Sequence, residues 1–175
     1  MSEKTKGQWQ IDENEYVTWH KVVDYPDLNK TELYSRTLDY FLHNYSDVNS
    51  IIQERDIPNG VIIGKGVYKK VNALNGDLEN KTVDTWHLLK VQVKDGRAKI
   101  TLSLTQYEET LRGRELADVH YLYPVTKQFP FNPTGYQKDL YEKAFNKSHL
   151  KALETIASVE KALKADSIQN KKDNW

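Results

Sequence analysis

Residues 83–105 read VDTWHLLKVQVKDGRAKITLSLT, and their alternation decides the fold. Two apolar-alternating runs flank Asp95-Gly96, a two-residue hairpin signature. With Lys94 opposite Arg97, Val93 faces Ala98, Val91 faces Ile100, Leu89 faces Leu102 and His87 faces Leu104. Side chains alternate with period two along a strand, so these eight residues share one face. The other face pairs Gln92 with Lys99, Lys90 with Thr101 and Leu88 with Ser103, and it continues to Trp86. A slip of one residue would turn the whole apolar set toward water, so the register is firmly specified. Asp-Gly favours a type I′ turn, in which both central residues take positive φ.

Upstream, SIIQERD and VIIGKGVYKKV flank Ile57-Pro58-Asn59-Gly60, a second hairpin signal. Gly64 and Gly66 lie on one face of the latter run. Strand glycines mark a bulge, a bend or the close approach of something bulky. No helix follows them and no third glycine lies three residues on, so they make no dinucleotide fingerprint. The polar stretch NALNGDLENKT, residues 72–82, reads as a loop. Further back, YVTWHKVVDY reads as a strand that stops at Pro26, which has no N–H for a ladder. A helix then starts with four agreeing signals: Asn29 as cap, Glu32 three residues on, and Leu28 with Leu33 as a hydrophobic staple. Leu33, Thr37, Leu38, Phe41 and Tyr45 make its apolar stripe, with Glu32, Arg36, Asp39 and His43 on other faces.

Downstream, residues 106–135 read as a long loop in which ADVHYLYPV could form a short strand. QFPFNPTG is too rich in proline for a helix interior. From Tyr136 helical spacing returns with Leu140, Tyr141, Ala144, Phe145, Leu150, Leu153, Ile156, Ala157 and Leu163, as one helix or as two joined near 146–148. Residues 1–15 read as a flexible, mostly polar arm that Trp9 could pin, with Trp9 and Ile11 its large apolar groups, and residues 166–175 as a polar tail. The expected architecture is a single α+β domain over 16–165, with a core at 17–107 and a C-terminal helix at 136–165. Its curved antiparallel sheet follows the order β-α-β-β-β-β-α and carries the helices on one face.

The 175 residues suffice for one domain with a real core. Charges balance at 25 basic and 25 acidic, which gives no broad field toward phosphates and counts against a nucleic-acid partner. The chain has no cysteine, which removes disulfides, thiolate nucleophiles and cysteine-based zinc sites. No apolar run approaches the length of a membrane helix. The opening MSEKTKGQ lacks the apolar core of a signal peptide, so the chain as it stands is cytoplasmic, or a leader has been removed.

DYPDLNKTELYSRTLDYF at 24–41, NSIIQERDIPNGVIIGKGV at 49–67 and VQVKDGRAKITL at 91–102 resemble the domain-of-unknown-function family 4468, of TBP-like fold, common among envelope proteins of Bacteroidetes. The resemblance covers residues 17–107 and rests on structural motifs. It implies a curved antiparallel sheet with helices on one face, frequent export to the cell envelope or periplasm, and no established activity. The family has no catalytic residues to carry over.

His20, His43, His87, His120 and His149 are scattered, without the close pairs of metal sites. Asp118 and His120 would share one face of a strand, which reads better as an exposed edge than as a metal site, so neither metal nor cofactor is expected. His87, on the apolar face, reads as a neutral histidine at the rim of the core. Glu108 and Glu109 point to opposite faces, and Glu13 with Glu15 belongs to the arm, so no glycosidase pair forms. Neither G-x-S-x-G nor a Walker loop occurs. The expectation is a non-enzymatic binding module for a protein or small-molecule partner, using the open sheet face or the 106–135 stretch. Trp86 with Leu88 would anchor the partner, Lys90 and Lys99 would form the rim, and Tyr121 and Tyr123 could extend the surface. The alternative is a hydrolytic or ligand-transforming enzyme built on His87 or His120.

Overall fold

The computed structural model describes residues 7–47, 50–76, 79–113, 117–128 and 137–165, apart from the side chains of residues 46, 47, 50 and 79. In chain order its elements are β1 (Gln10–Ile11), β2 (Val17–Asp24), α1 (Lys30–Asn44), β3 (Ser46–Asp47), β4 (Ser50–Asp56) and β5 (Val61–Asn75). They continue with β6 (Glu79–Lys94), β7 (Arg97–Gly113), β8 (Val119–Pro124), α2 (Val125–Gln128) and α3 (Lys138–Lys164). The strands form one antiparallel sheet of eight in the order β1-β2-β7-β6-β5-β4-β3, with β8 paired to β7. Among the described residues, no helix is long and apolar enough to cross a membrane.

The expected order strand, helix, four strands, helix is present as β2, α1, β4 to β7 and α3, and the fold class is α+β as expected. Several local expectations are corrected. Within the stretch 72–82, expected as a loop, residues 72–75 and 79–82 are strand: β5 runs to Asn75 and β6 begins at Glu79. Two of the polar residues there, Asn72 and Lys81, are buried with partners. Asn72 donates through Nδ2 to the Leu140 carbonyl at 2.9 Å, and Lys81 lies 3.6 Å from Glu109. Residues 106–135 are not one loop either, since β7 extends to Gly113 and β8 and α2 follow; 129–136, with most of QFPFNPTG, lie outside the described residues. Within the arm Gln10 and Ile11 form a short strand, paired through Gln10–Thr18 and Ile11–Val17. The C-terminal helix is one helix of 27 residues.

The chain divides into two compact units, and β2, β5, β6, β7 and α3 each contribute a segment to both. The first unit comprises residues 1–19, 67–88 and 103–152. Its core gathers Val17, Trp19, Val71, Val83, Leu104, Tyr107, Tyr141, Ala144 and Phe145, all buried. Phe145 on α3 receives Trp9 edge-on, with ring centroids 5.7 Å apart, which fixes the N-terminal strand to the helix. Asp12 closes the β1–β2 turn by accepting the N–H groups of Asn14 and Tyr16, both at 2.9 Å. Along α3 the buried stripe uses Ser148 and Ala152, whereas Leu150, expected in it, is 58% exposed. Ser148 is drawn inward because its hydroxyl donates to Thr85 Oγ1 at 2.8 Å.

The second unit comprises residues 20–66, 89–102 and 153–175. Here Leu89, Val91, Val93, Ala98, Ile100 and Leu102 are all buried, as the alternation requires. Both halves of the capping box at Asn29 and Glu32 are formed. Helix α1 buries Leu33, Thr37, Tyr40 and Phe41, and it lies against Gly64, where a Cβ would meet Phe41 Cε1 at 2.6 Å and Tyr45 Cδ1 at 2.7 Å. Only glycine leaves room for those rings. The Asp95-Gly96 turn differs from type I′, because of its two residues only Gly96 takes positive φ, at 71°. It is shaped by docking onto the chain before α1. Gly96 N–H donates to the Leu28 carbonyl at 2.9 Å, Tyr25 N–H to the Gly96 carbonyl at 2.7 Å, and Lys30 N–H to Asp95 Oδ1 at 2.8 Å. Leu153, also expected in the apolar stripe of α3, is 40% exposed, while Ile156, Val159 and Leu163 are buried.

Candidate functional site

In the first unit β6 sorts its side chains strictly by parity: Lys81, Val83, Thr85 and His87 point toward α3, so Trp86 and Leu88 point away from it. On β5 the alternation is broken at Lys70, whose φ of 48° is left-handed. Such a conformation costs a residue with a Cβ about 1 kcal/mol. Asp84 offsets it by accepting the Lys70 N–H at 2.6 Å, and its second oxygen holds Lys69 at 2.9 Å. The irregularity thus places the Lys69 ammonium 5.9 Å from the Trp86 ring centroid, a cation–π arrangement.

A second irregularity lies on β7. Its most deeply enclosed residues are even-numbered through Ile100, Leu102 and Leu104, then odd-numbered at Tyr107 and Glu109. The slip turns Glu108 to the Trp86 side, where Oε2 accepts the indole N–H at 2.8 Å. Its other oxygen lies 3.1 Å from Nδ1 of His120, on the neighbouring β8 and opposite Thr110 in register. Thr110 Oγ1 also lies 3.1 Å from that Nδ1. The indole and the imidazole are therefore held by the two oxygens of one carboxylate, with Lys69 over the indole. The His120 side chain is 53% exposed. This surface offers an apolar ring, a cation, an anion and an imidazole side by side.

The same slip buries Glu109, which is 2% exposed. Its Oε2 accepts the Tyr141 hydroxyl at 2.7 Å, and Lys81 faces its Oε1. Burial first, and then donation to Glu109, hold the Tyr141 hydroxyl well above its ordinary pKa. Tyr107 packs 5.2 Å from Tyr141, and its hydroxyl is buried without a hydrogen-bonding partner among the described residues. Burial alone raises its pKa.

The expected site residues are distributed as follows. Trp86 and Leu88 belong to the first unit and are partly buried, and Lys90 and Lys99 belong to the second, where Lys90 is partly buried and Lys99 exposed. Tyr121 and Tyr123 do not share the Trp86 side. They pair with Glu109 and Tyr107 across β7–β8, stack on each other at 6.3 Å, and Tyr123 meets Tyr141 of α3 edge-on at 6.0 Å. Tyr123 is raised in pKa by burial, then by Glu109 and Tyr121. His87 is 4% exposed and stacks on Tyr68 at 4.2 Å. Burial pushes its pKa down to about 4, so it is neutral at physiological pH. Asp118 is bound to Arg112 at 3.0 Å, away from any metal-like set, and the described residues contain no cluster of three or more metal-ligating side chains.

Lys69, Asp84, Glu108 and Thr110 escape a reading by alternation alone, because two irregularities bring them together. One signal was available: Leu104 and Tyr107 are three residues apart where a regular strand would place apolar groups two apart.

An eight-stranded antiparallel sheet with few helices defines an α+β protein, and its likeness to solved structures gives the TBP-like fold. A crystal structure of a TBP-like protein from Parabacteroides distasonis aligns with a TM-score of 0.64 at 16% identity, over 90% of this chain and 98% of the other. A crystal structure of a DUF4468 family protein from Bacteroides ovatus aligns with a TM-score of 0.60 at 18% identity, over 93% and 94%. The chain belongs to that family, described as a domain of unknown function (DUF4468) with TBP-like fold, whose pattern matches residues 19–108. No curated protein matches the chain.

Proposed function

We propose that the chain is a binding module and that the side of the first unit bearing Trp86 receives its protein or small-molecule partner. The observation that carries this reading is the fixed indole: Glu108 holds its N–H and Lys69 lies over its ring. A large aromatic group whose orientation is already set loses little entropy when a partner covers it. Leu88, on the same side of β6, adds apolar area.

The enzymatic alternative has one specific observation in its favour, the carboxylate-held and exposed His120. In a nucleophile–base–acid relay the base contacts acid and nucleophile through different nitrogens. Here Glu108 and Thr110 both face Nδ1, so the hydroxyl is not on the nitrogen that would take its proton. His87 is too enclosed to meet a substrate. The geometry therefore favours recognition over turnover.

The test is a fragment screen by NMR that reads the four indole N–H resonances. Ligands that shift the Trp86 resonance should lose about tenfold or more in affinity to Trp86→Ala, a core-anchor loss of at least 1.4 kcal/mol. The melting temperature of Trp86→Ala should move by only a few degrees. A collapse in melting temperature without any Trp86-centred ligand would make this residue a packing element. Turnover of generic ester, phosphate or glycoside substrates that disappears in His120→Ala would favour the enzyme.

A further inference from the structure

The second unit carries a pocket of about 400 Å³ lined by Val22, Asn59, Gln92, Val93, Lys94, Arg97 and Lys99. We propose that it binds a small phosphate monoester, with the phosphate among Lys94, Arg97 and Lys99 and the organic group against Val22. Parity explains the gathering. Gln92 and Lys94 on β6 and Arg97 and Lys99 on β7 all belong to the side opposite the buried Val91, Val93, Ala98 and Ile100. The two-residue turn brings the ends of both strands together. In a chain whose charges balance, this pocket has three cationic side chains in its lining and no carboxylate.

The flanking contacts leave those cations available. Arg97 commits Nε to Asp24 at 2.5 Å, and its terminal nitrogens can still face an anion in the two-point manner of guanidinium and phosphate. The Asn59 amide donates to Asp56 at 2.7 Å, which fixes the wall of the pocket at the β4–β5 turn. Gly60 lets that turn lie close to β6, since a Cβ there would come 2.5 Å from the Val93 carbonyl oxygen. Val22 is 52% exposed on β2, an apolar group beside cations that suits an ester's organic part better than bare phosphate. Asp24 partly offsets Arg97, and the two lysines beside it still favour a dianion over a carboxylate, because each charge on the ligand interacts with each of them.

Titration of the isotope-labelled full chain with phenyl phosphate, inorganic phosphate, benzoate and benzyl alcohol tests this. Phenyl phosphate should saturate and shift the amides of Asn59, Gln92, Lys94 and Lys99. Inorganic phosphate and benzoate should bind about tenfold more weakly, the first lacking apolar contact and the second a charge, and benzyl alcohol should not bind. Lys99→Gln should weaken phenyl phosphate about fivefold and Lys99→Arg should not, while Lys90→Gln, which removes a charge outside the lining, should change it less than about twofold. Both Lys99 variants should melt with the parent, because the residue is exposed. No saturation by phenyl phosphate, benzoate binding as tightly, or an equal loss in Lys90→Gln would each overturn the proposal.

Discussion

Glu108 and Glu109 are adjacent in the chain and do opposite work. Glu108 faces away from α3 and joins an indole to an exposed imidazole; Glu109 faces α3 and is enclosed with Tyr141, Lys81 and two further tyrosine rings. Identical side chains one peptide apart thus belong to a surface and to a core. Parity along β7 assigns the roles, and the slip after Leu104 sets the parity. Chemistry at a position in a sheet is decided by register before it is decided by residue type.

That contrast can be broken most forcefully at Glu109. Glu109→Ala leaves a buried lysine and a tyrosine hydroxyl without their acceptor and should cost about 3 to 5 kcal/mol by denaturant unfolding. A loss as small as that of a surface residue would dissolve the distinction. Next comes acid. His87 has a folded pKa of about 4 against an ordinary 6.5, so the unfolded chain takes up its proton first as pH falls. Stability should be unaffected by this group above pH 6.5, decline from there to pH 4, and be lower by about 3 kcal/mol below it. His87→Phe should flatten that part of the profile, and a profile that keeps its slope would place the titration elsewhere. Tyr107→Phe removes a buried hydroxyl that has no partner and should be neutral or stabilising by up to about 1 kcal/mol. Destabilisation would reveal a bond to that oxygen. Smallest is Glu108→Ala, expected to cost less than about 1 kcal/mol while freeing the Trp86 indole, whose N–H resonance should shift.

Where local rules govern, the sequence could be read. The Asn29–Glu32 capping box, the buried face of 87–104 and the hairpin at 57–60 follow from short-range patterns, and each is present. Gly64 admits a bulge, a bend or close packing from the sequence, and the rings of α1 supply the close packing. What could not be read depends on partners distant in sequence. Residues 72–82 look like a loop because the whole stretch is polar, and the partners that bury Asn72 and Lys81, Leu140 and Glu109, lie far along the chain. The Trp86 cluster needed the distortions at Lys70 and after Leu104, and a distortion shifts every later assignment by one position. Tyr121 and Tyr123 pair with Glu109 and Tyr107, so their side is set by the count on β7, and regular spacing gives a face only if the neighbouring strand has kept its count.

The docking of the Asp95-Gly96 turn onto the start of α1 has a kinetic consequence. One of the free N–H groups in the first turn of α1, that of Lys30, is satisfied by a carboxylate 65 residues away. The capping box can nucleate the helix locally, but its first turn is complete only after the chain has closed a long loop around the intervening strands. Closure of that kind is entropically costly and raises the mean sequence separation of contacts, which slows folding. The amides of Tyr25, Lys30 and Gly96 should therefore gain protection together and late, making this junction a marker for completion of the second unit.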